Sequence, residues 1–286
     1  MNECPLVSIL MTAYNREKFI SESIESVLAS SYINFELIIL DDCSTDNTVS
    51  IIRHFENIDS RIKFFINKNN LGDYPNRNKA VSYANGEYFI FVDSDDKIYP
   101  DSLEYLMNSM TASPEAEIGM LCRDHSLNNK VLNTEEVIQH HFFKNQILSI
   151  GPGGTILKTS FFIKIGNYPT QYGPANDMYF NLKAVALGNI KFLCKEFLFY
   201  RIHEGQEANN KIGYIYYNYN YFKDALEKLD LKLSSKQKNS LLKKNKRRLV
   251  VNTFKLFWQE RLITNVNVII KKTNFTITDL FYAVFN

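Results

Sequence analysis

The chain of 286 residues carries 33 Lys and Arg against 31 Asp and Glu, a net charge of +2 at pH 7. That balance argues against a general nucleic-acid binder, and 45% hydrophobic with 22% charged residues excludes a disordered chain. The length suits one full-sized domain with a smaller appendage.

The first hundred residues alternate between two periods. Leu6 to Met11 is an apolar run of the kind buried in a parallel sheet. Glu17 to Leu28 follows with apolar residues at helical spacing. Phe35 to Leu40 reads as a second strand. Ser44-Thr45-Asp46-Asn47 then offers capping side chains before the helical run from Val49 to Phe55. Ile62 to Ile66 is a third strand, Pro75 to Ala84 a helix with Pro in its first turn, and Tyr88 to Val92 a fourth strand. This β-α-β-α-β-α-β order predicts an α/β fold with a mainly parallel, doubly wound sheet and helices on both faces.

Further along, Pro100 to Met110 predicts a helix and Ile118 to Cys122 a strand. Residues 124 to 150 show no clear period. Gly151-Pro152-Gly153-Gly154 breaks the chain before a short strand at Thr155 to Leu157. Asp177 to Leu187 reads as a helix, and Ile190 to Leu193 and Phe197 to Tyr200 as strands. Beyond Gly213 the pattern is helical. A linker is expected near 205 to 213, giving a domain over 1–208 and a helical C-terminal extension over 209–286.

Cys4, Cys43, Cys122 and Cys194 include no C-x-x-C pair, so they read as reduced thiols of a cytosolic protein. The N-terminal residues lack the basic and apolar regions of a signal peptide. No apolar run approaches the roughly 18 residues of a membrane span.

In open α/β sheets ligands bind beyond the carboxyl ends of the strands. Three of the first four junctions there carry carboxylates. Asp93-Ser94-Asp95-Asp96 is the sharpest: three carboxylates so close repel unless a cation offsets them, and hard divalent ions take such oxygen ligands. The alternative is an acidic turn capping the next helix. Asp41-Asp42 suits a nucleoside contact or an Asx-turn. Asp177 is either a reacting carboxylate or an N-cap. His203, in Tyr200-Arg201-Ile202-His203, is a ligand or an ordinary surface or core histidine. There is no G-x-x-x-x-G-K-[ST] loop and no G-x-G-x-x-G after the first strand, which argues against P-loop and dinucleotide chemistry.

Taken in order, Val7-Ser8-Ile9-Leu10-Met11-Thr12-Ala13-Tyr14-Asn15, Asp41-Asp42-Cys43-Ser44-Thr45-Asp46, Arg77-Asn78, Gly86-Glu87-Tyr88 and Asp93-Ser94-Asp95-Asp96 resemble the family 2 glycosyltransferases of the GT-A fold. The likeness covers residues 5 to 205. It implies transfer of a sugar from a nucleotide diphosphate donor, usually UDP-linked, to an acceptor hydroxyl, with Mn²⁺ or Mg²⁺ and inversion at the anomeric carbon. It implies that Thr12, Tyr14 and Asp42 hold the nucleoside, with Arg77 near the nucleotide. Asp93 and Asp96 fall in the donor-binding acidic region. Asp95 is the favoured metal ligand, joined by Asp96 and by His203. Asp177 falls on the general base.

Two departures stand out. Asn176 replaces the Glu common before that base, and Cys43 stands where Gly is common. With this resemblance the expected role is bacterial polysaccharide or glycolipid assembly on a carbohydrate or lipid-linked glycan acceptor. The alternatives are a non-catalytic nucleotide-sugar-binding scaffold of a polysaccharide assembly system and a nucleotidyltransferase. The latter needs a Gly-rich basic loop that Thr12 to Lys18 matches poorly.

In the C-terminal extension, Leu242, Leu249, Val250, Phe254 and Phe257 fall near one helical face among Lys and Arg. That pattern suits peripheral contact with an anionic inner membrane face. Packing on the catalytic domain or in a homodimer is the alternative.

Overall fold

The computed structural model describes residues 4–203, 211–260 and 263–276. Residues 204–210, which hold most of the expected linker, lie outside the described residues. The chain divides into two compact units, Met1–Tyr168 with Leu187–Ile202, and Pro169–Ala186 with His203–Asn286.

The first unit begins with β1 (Val7–Ala13), α1 (Ile20–Leu28), β2 (Phe35–Asp41), α2 (Thr48–Ile58), β3 (Ile62–Ile66), α3 (Asp73–Val81) and β4 (Tyr88–Phe91). It continues through β5 (Lys97–Ile98), α4 (Ser102–Thr111), β6 (Ala116–Leu121), β7 (Val131–Leu132), α5 (Thr134–Phe143), β8 (Thr155–Lys158), α6 (Thr159–Ile165), β9 (Asn189–Leu193) and β10 (Leu198–Phe199). Eight strands form one sheet in the order β3-β2-β1-β4-β8-β6-β9-β7. The β1 to β4 strands run parallel, as do β6 and β9, while β8 pairs antiparallel with both β4 and β6. The carboxyl ends of β1, β2, β3, β4, β6 and β9 therefore share one edge.

The apolar runs become strands because both sheet faces are covered. Every residue of β2 and β4 is buried. Ile9, Leu37, Ile39 and Ile90 pack with Ile24 and Val27 of α1, Ile52 and Phe55 of α2, and Leu106 and Met110 of α4. The unreadable stretch from 124 to 150 holds α5, whose start is a full capping box between Asn133 and Glu136.

The second unit contains α7 (Asn176–Leu187, all but its last residue), α8 (Lys211–Lys228), α9 (Ser235–Glu260) and α10 (Ile263–Thr273). Its core joins Leu249, Val250 and Leu256 of α9 to Ile269 of α10, with Ile212, Ile215 and Tyr219 of α8 packed against them. The segment before α7 lies on α8: a Cβ on Gly173 would sit 2.4 Å from the Tyr217 ring, and the Tyr172 hydroxyl donates to Asp224 at 2.6 Å. The expected single apolar face of α9 is split. Leu249 is buried and Phe254 is exposed, since five residues turn a helix through about 140° beyond a full revolution.

Candidate active site

The loops beyond β1, β2 and β4 are tied to one another by side chains. Asn15, at φ 52°, donates its backbone N–H to Ser44 Oγ, and its side-chain oxygen accepts from Thr45 N. Cys43, at φ 69°, occupies the left-handed region that favours glycine, which leaves some strain in this chain. Ser94 donates to the Thr12 carbonyl at 2.8 Å, joining the acidic loop to β1.

Asp93, Asp95 and Asp96 converge: one carboxylate oxygen from each lies within 4.8 Å of the others. Asp95 and Asp96 are buried. Burial pushes the Asp96 carboxyl up to about 7, with Asp93 and Asp95 adding to the rise and the Arg201 N–H and Arg77 opposing it. Three cations surround the cluster. Arg77 is 7% exposed and donates Nε to Asp73 at 2.7 Å and Nη1 to Asp93 at 2.6 Å. Burial opposes its charge, but Asp73 and Asp93 more than offset that and hold it well above its ordinary value. Arg16 donates Nε to Asp95 at 3.1 Å. Arg201 gives its backbone N–H to Asp96 and its Nε to the Asp95 carbonyl, both at 2.9 Å. An all-carboxylate donor set with one member driven toward its neutral form fits a hard divalent cation.

Asp42 is buried, and its carboxylate accepts from Asn67 Nδ2 at 2.7 Å and from the N–H groups of Leu71 and Gly72, both at 2.9 Å. It anchors the 67–72 loop, so a nucleoside contact would share these oxygens. Thr12 is half-buried at the end of β1, and Tyr14 is 44% exposed beyond it.

Thr12, Tyr14, Asp42, Arg77 and the three aspartates thus lie on the carboxyl edge of the first unit. Asp177 and His203 belong to the second unit. Asp177 is half-buried in the first turn of α7, where its Oδ1 accepts from Met178 N at 2.7 Å. Asn176 beside it is buried; its amide accepts from Tyr172 N at 2.9 Å and donates to the Gly173 carbonyl at 2.7 Å. A carboxylate could not make the second bond, which gives the Asn a structural reason. Sequence reading missed Arg16 and passed over Arg201. The only signal for either was a lone basic residue beside a motif, and the partners lie 79 and about 105 positions away.

The family described as "Glycosyl transferase family 2" matches residues 8–163, and the chain belongs to that family. It is 36% identical over 149 residues to the "Putative teichuronic acid biosynthesis glycosyltransferase TuaG" of Bacillus subtilis, covering 50% of this chain and 59% of that one. It is 31% identical over 214 residues to the "UDP-Glc:alpha-D-GlcNAc-diphosphoundecaprenol beta-1,3-glucosyltransferase WfgD" of Escherichia coli, covering 72% of this chain and 81% of that one. Three further relatives are spanned over only 33% to 42% of their length. The fold matches the crystal structure of S. aureus TarS 1–349 in complex with UDP-GlcNAc with a TM-score of 0.73 at 20% identity, over 97% of this chain and 81% of that one. It also matches a mannosyltransferase of Pyrobaculum calidifontis in complex with GDP-Man and Mn²⁺, with a TM-score of 0.64 at 16% identity, over 99% and 87% of the two chains.

The Arg77 pairing predicts a measurable cost. Arg77→Met should lower unfolding free energy by about 3 kcal/mol, because it leaves Asp93 beside two further carboxylates without its cation. Denaturant melts of both proteins without metal read this directly; equal midpoints would show that the pairing does not support the cluster.

Proposed function

We propose that this protein is a metal-dependent, inverting glycosyltransferase that moves a sugar from a UDP-type donor to a hydroxyl of a lipid-linked glycan. The observation that carries this reading is the convergence of Asp93, Asp95 and Asp96 at the carboxyl edge of a family 2 fold. Residues 1–208 would form the catalytic domain and 209–286 the extension.

Thr12, Tyr14 and Asp42 would hold the nucleoside, and Arg77 and Asp93 would frame the diphosphate side. Asp95 and Asp96, with His203, would ligate Mn²⁺ or Mg²⁺. The bound ion supplies Lewis-acid stabilisation of the leaving diphosphate. The Asp177 carboxylate accepts the proton of the acceptor hydroxyl as that oxygen bonds to the anomeric carbon. The bond from that carbon to the diphosphate oxygen breaks on the opposite face, which inverts the centre. A scaffold without turnover would rest on the Asn176 departure, and the hydrogen bonds of Asn176 give that residue a structural role instead.

The E. coli relative is named for a GlcNAc-diphosphoundecaprenol substrate, and a Campylobacter jejuni relative for a GalNAc-containing PP-undecaprenol substrate. An acceptor of that kind requires the enzyme to work at a membrane. Among the described residues no helix is long and apolar enough to cross one. The outward face of α9 instead carries Lys243, Lys244 and Arg247, then exposed Val251, Phe254 and Trp258 with Lys255 beside them. Cationic turns leading into an apolar stripe suit an anionic lipid surface. On this reading the enzyme works in the cytoplasm, peripheral on the inner membrane face.

Two outcomes are expected. Asp177→Asn should bind donor nucleotide normally and lose roughly 10²–10⁴-fold in transfer rate, measured as UDP release with a lipid-linked acceptor; undiminished turnover would remove Asp177 as the base. The triple variant V251S/F254S/W258S should stay in solution when wild-type protein sediments with phosphatidylglycerol liposomes; equal sedimentation of both would eliminate the α9 contact.

A further inference from the structure

The same sheet edge carries a second feature, at the end of β6. A cavity of about 630 Å³ opens beyond the carboxyl end of β6. That volume lies within the range of small-molecule sites, roughly 300–1,000 Å³. It is walled by Arg123, Asp124 and His125 on one side and by Asn145, Gln146 and Ser149 on the other.

The two walls are locked together. The Asp124 carboxylate accepts from Asn145 Nδ2 at 3.0 Å and faces His140 Nε2 at 2.9 Å, and it accepts twice more from Ser126. These bonds, led by those from Ser126 and Asn145, hold its pKa far below the carboxylate range. His141 accepts the N–H groups of Ile147 and Leu148 at 3.1 and 3.2 Å, and burial keeps its ring neutral, with its pKa lowered to about 4. The loop from 144 to 150 is thereby fixed before any ligand arrives. Among the described residues, the side chains of Arg123, His125, Gln146 and Ser149 have no hydrogen-bond partner in the protein, although all four line the cavity.

The lining selects the ligand. A guanidinium, a carboxamide and a hydroxyl can each bond to sugar hydroxyls, as donors or as both donor and acceptor. The Asp124 carboxylate beside Arg123 disfavours an anion. Among the described residues no Phe, Tyr or Trp lines the walls to stack on a base. The strand order β4-β8-β6 puts the ends of β4 and β6 two strand spacings apart, about 10 Å. We propose that this cavity is a saccharide subsite for the acceptor glycan, holding a sugar ring adjacent to the one that reacts beside the acidic cluster. The proposal rests on the transferase reading and names where its acceptor is recognised.

The test uses the full chain and ligand-observed saturation-transfer NMR with the methyl glycosides of N-acetylglucosamine and N-acetylgalactosamine at millimolar concentration. Hydrogen exchange with the same glycosides locates the contact, and UDP affinity is measured on the same samples. At least one glycoside should bind without nucleotide, protect residues 121–126 and 144–150, and persist at saturating UDP-GlcNAc. Q146A/S149A should weaken it about tenfold with UDP affinity unchanged. Absence of glycoside binding, or binding that the double variant leaves intact, would overturn the subsite. Displacement by UDP-GlcNAc would assign the cavity to the donor sugar and overturn the acceptor assignment. Loss of UDP binding in the wild-type protein would instead count against the transferase reading, so the two failures are distinct.

Discussion

Three carboxylates held within 4.8 Å of one another are the constraint around which the first unit is organised. Left alone they would repel, and the chain answers with three arginines drawn from far apart in the sequence. Arg77 arrives on α3, Arg16 on the loop after β1 and Arg201 on the segment after β10. The burial that drives Asp96 up to about 7 is the same burial that strengthens each of these contacts. The cluster is thus poised between its own repulsion and a cationic collar, a state that a divalent ion with a diphosphate can complete.

Position on the sheet gives this charge its meaning. Parallel β1 to β4 bring the ends of four strands to one edge, so Thr12, Asp42 and Asp93 become neighbours although their sequence separation is large. Strand β8, antiparallel to both β4 and β6, keeps the end of β6 on that edge too. The acidic cluster and the polar cavity beyond β6 therefore follow from one topological choice.

The front of the fold was legible because its strands are buried on both faces and read as unbroken apolar runs. β3 was placed at its observed bounds, and β1, β2 and β4 within two residues at either end. Elements held by long-range pairing were less legible. β5 is two residues long and was not read, because it is held by its pairing with β10, whose place the run Phe197 to Tyr200 did mark. α5 buries little beyond Val137 and Ile138, so it has no apolar stripe to read, and α6 follows β8 without a break. At the site, Asp93, Asp95 and Asp96 stood out because they are adjacent in sequence. Arg16 and Arg201 did not, because a guanidinium's partner is set by tertiary contact. Asn176 looked like a lost carboxylate, whereas its amide closes the Tyr172–Asn176 turn with a bond that a carboxylate cannot donate.

Calorimetric titration of the full chain with UDP, GDP and dTDP, each with and without Mn²⁺, tests the central claim most directly. Binding of UDP that requires Mn²⁺ and disappears in Asp95→Ala is the expected result. Failure of a folded sample to bind any of the three, or binding indifferent to both the metal and Asp95, would contradict the assignment of the acidic cluster as the donor site.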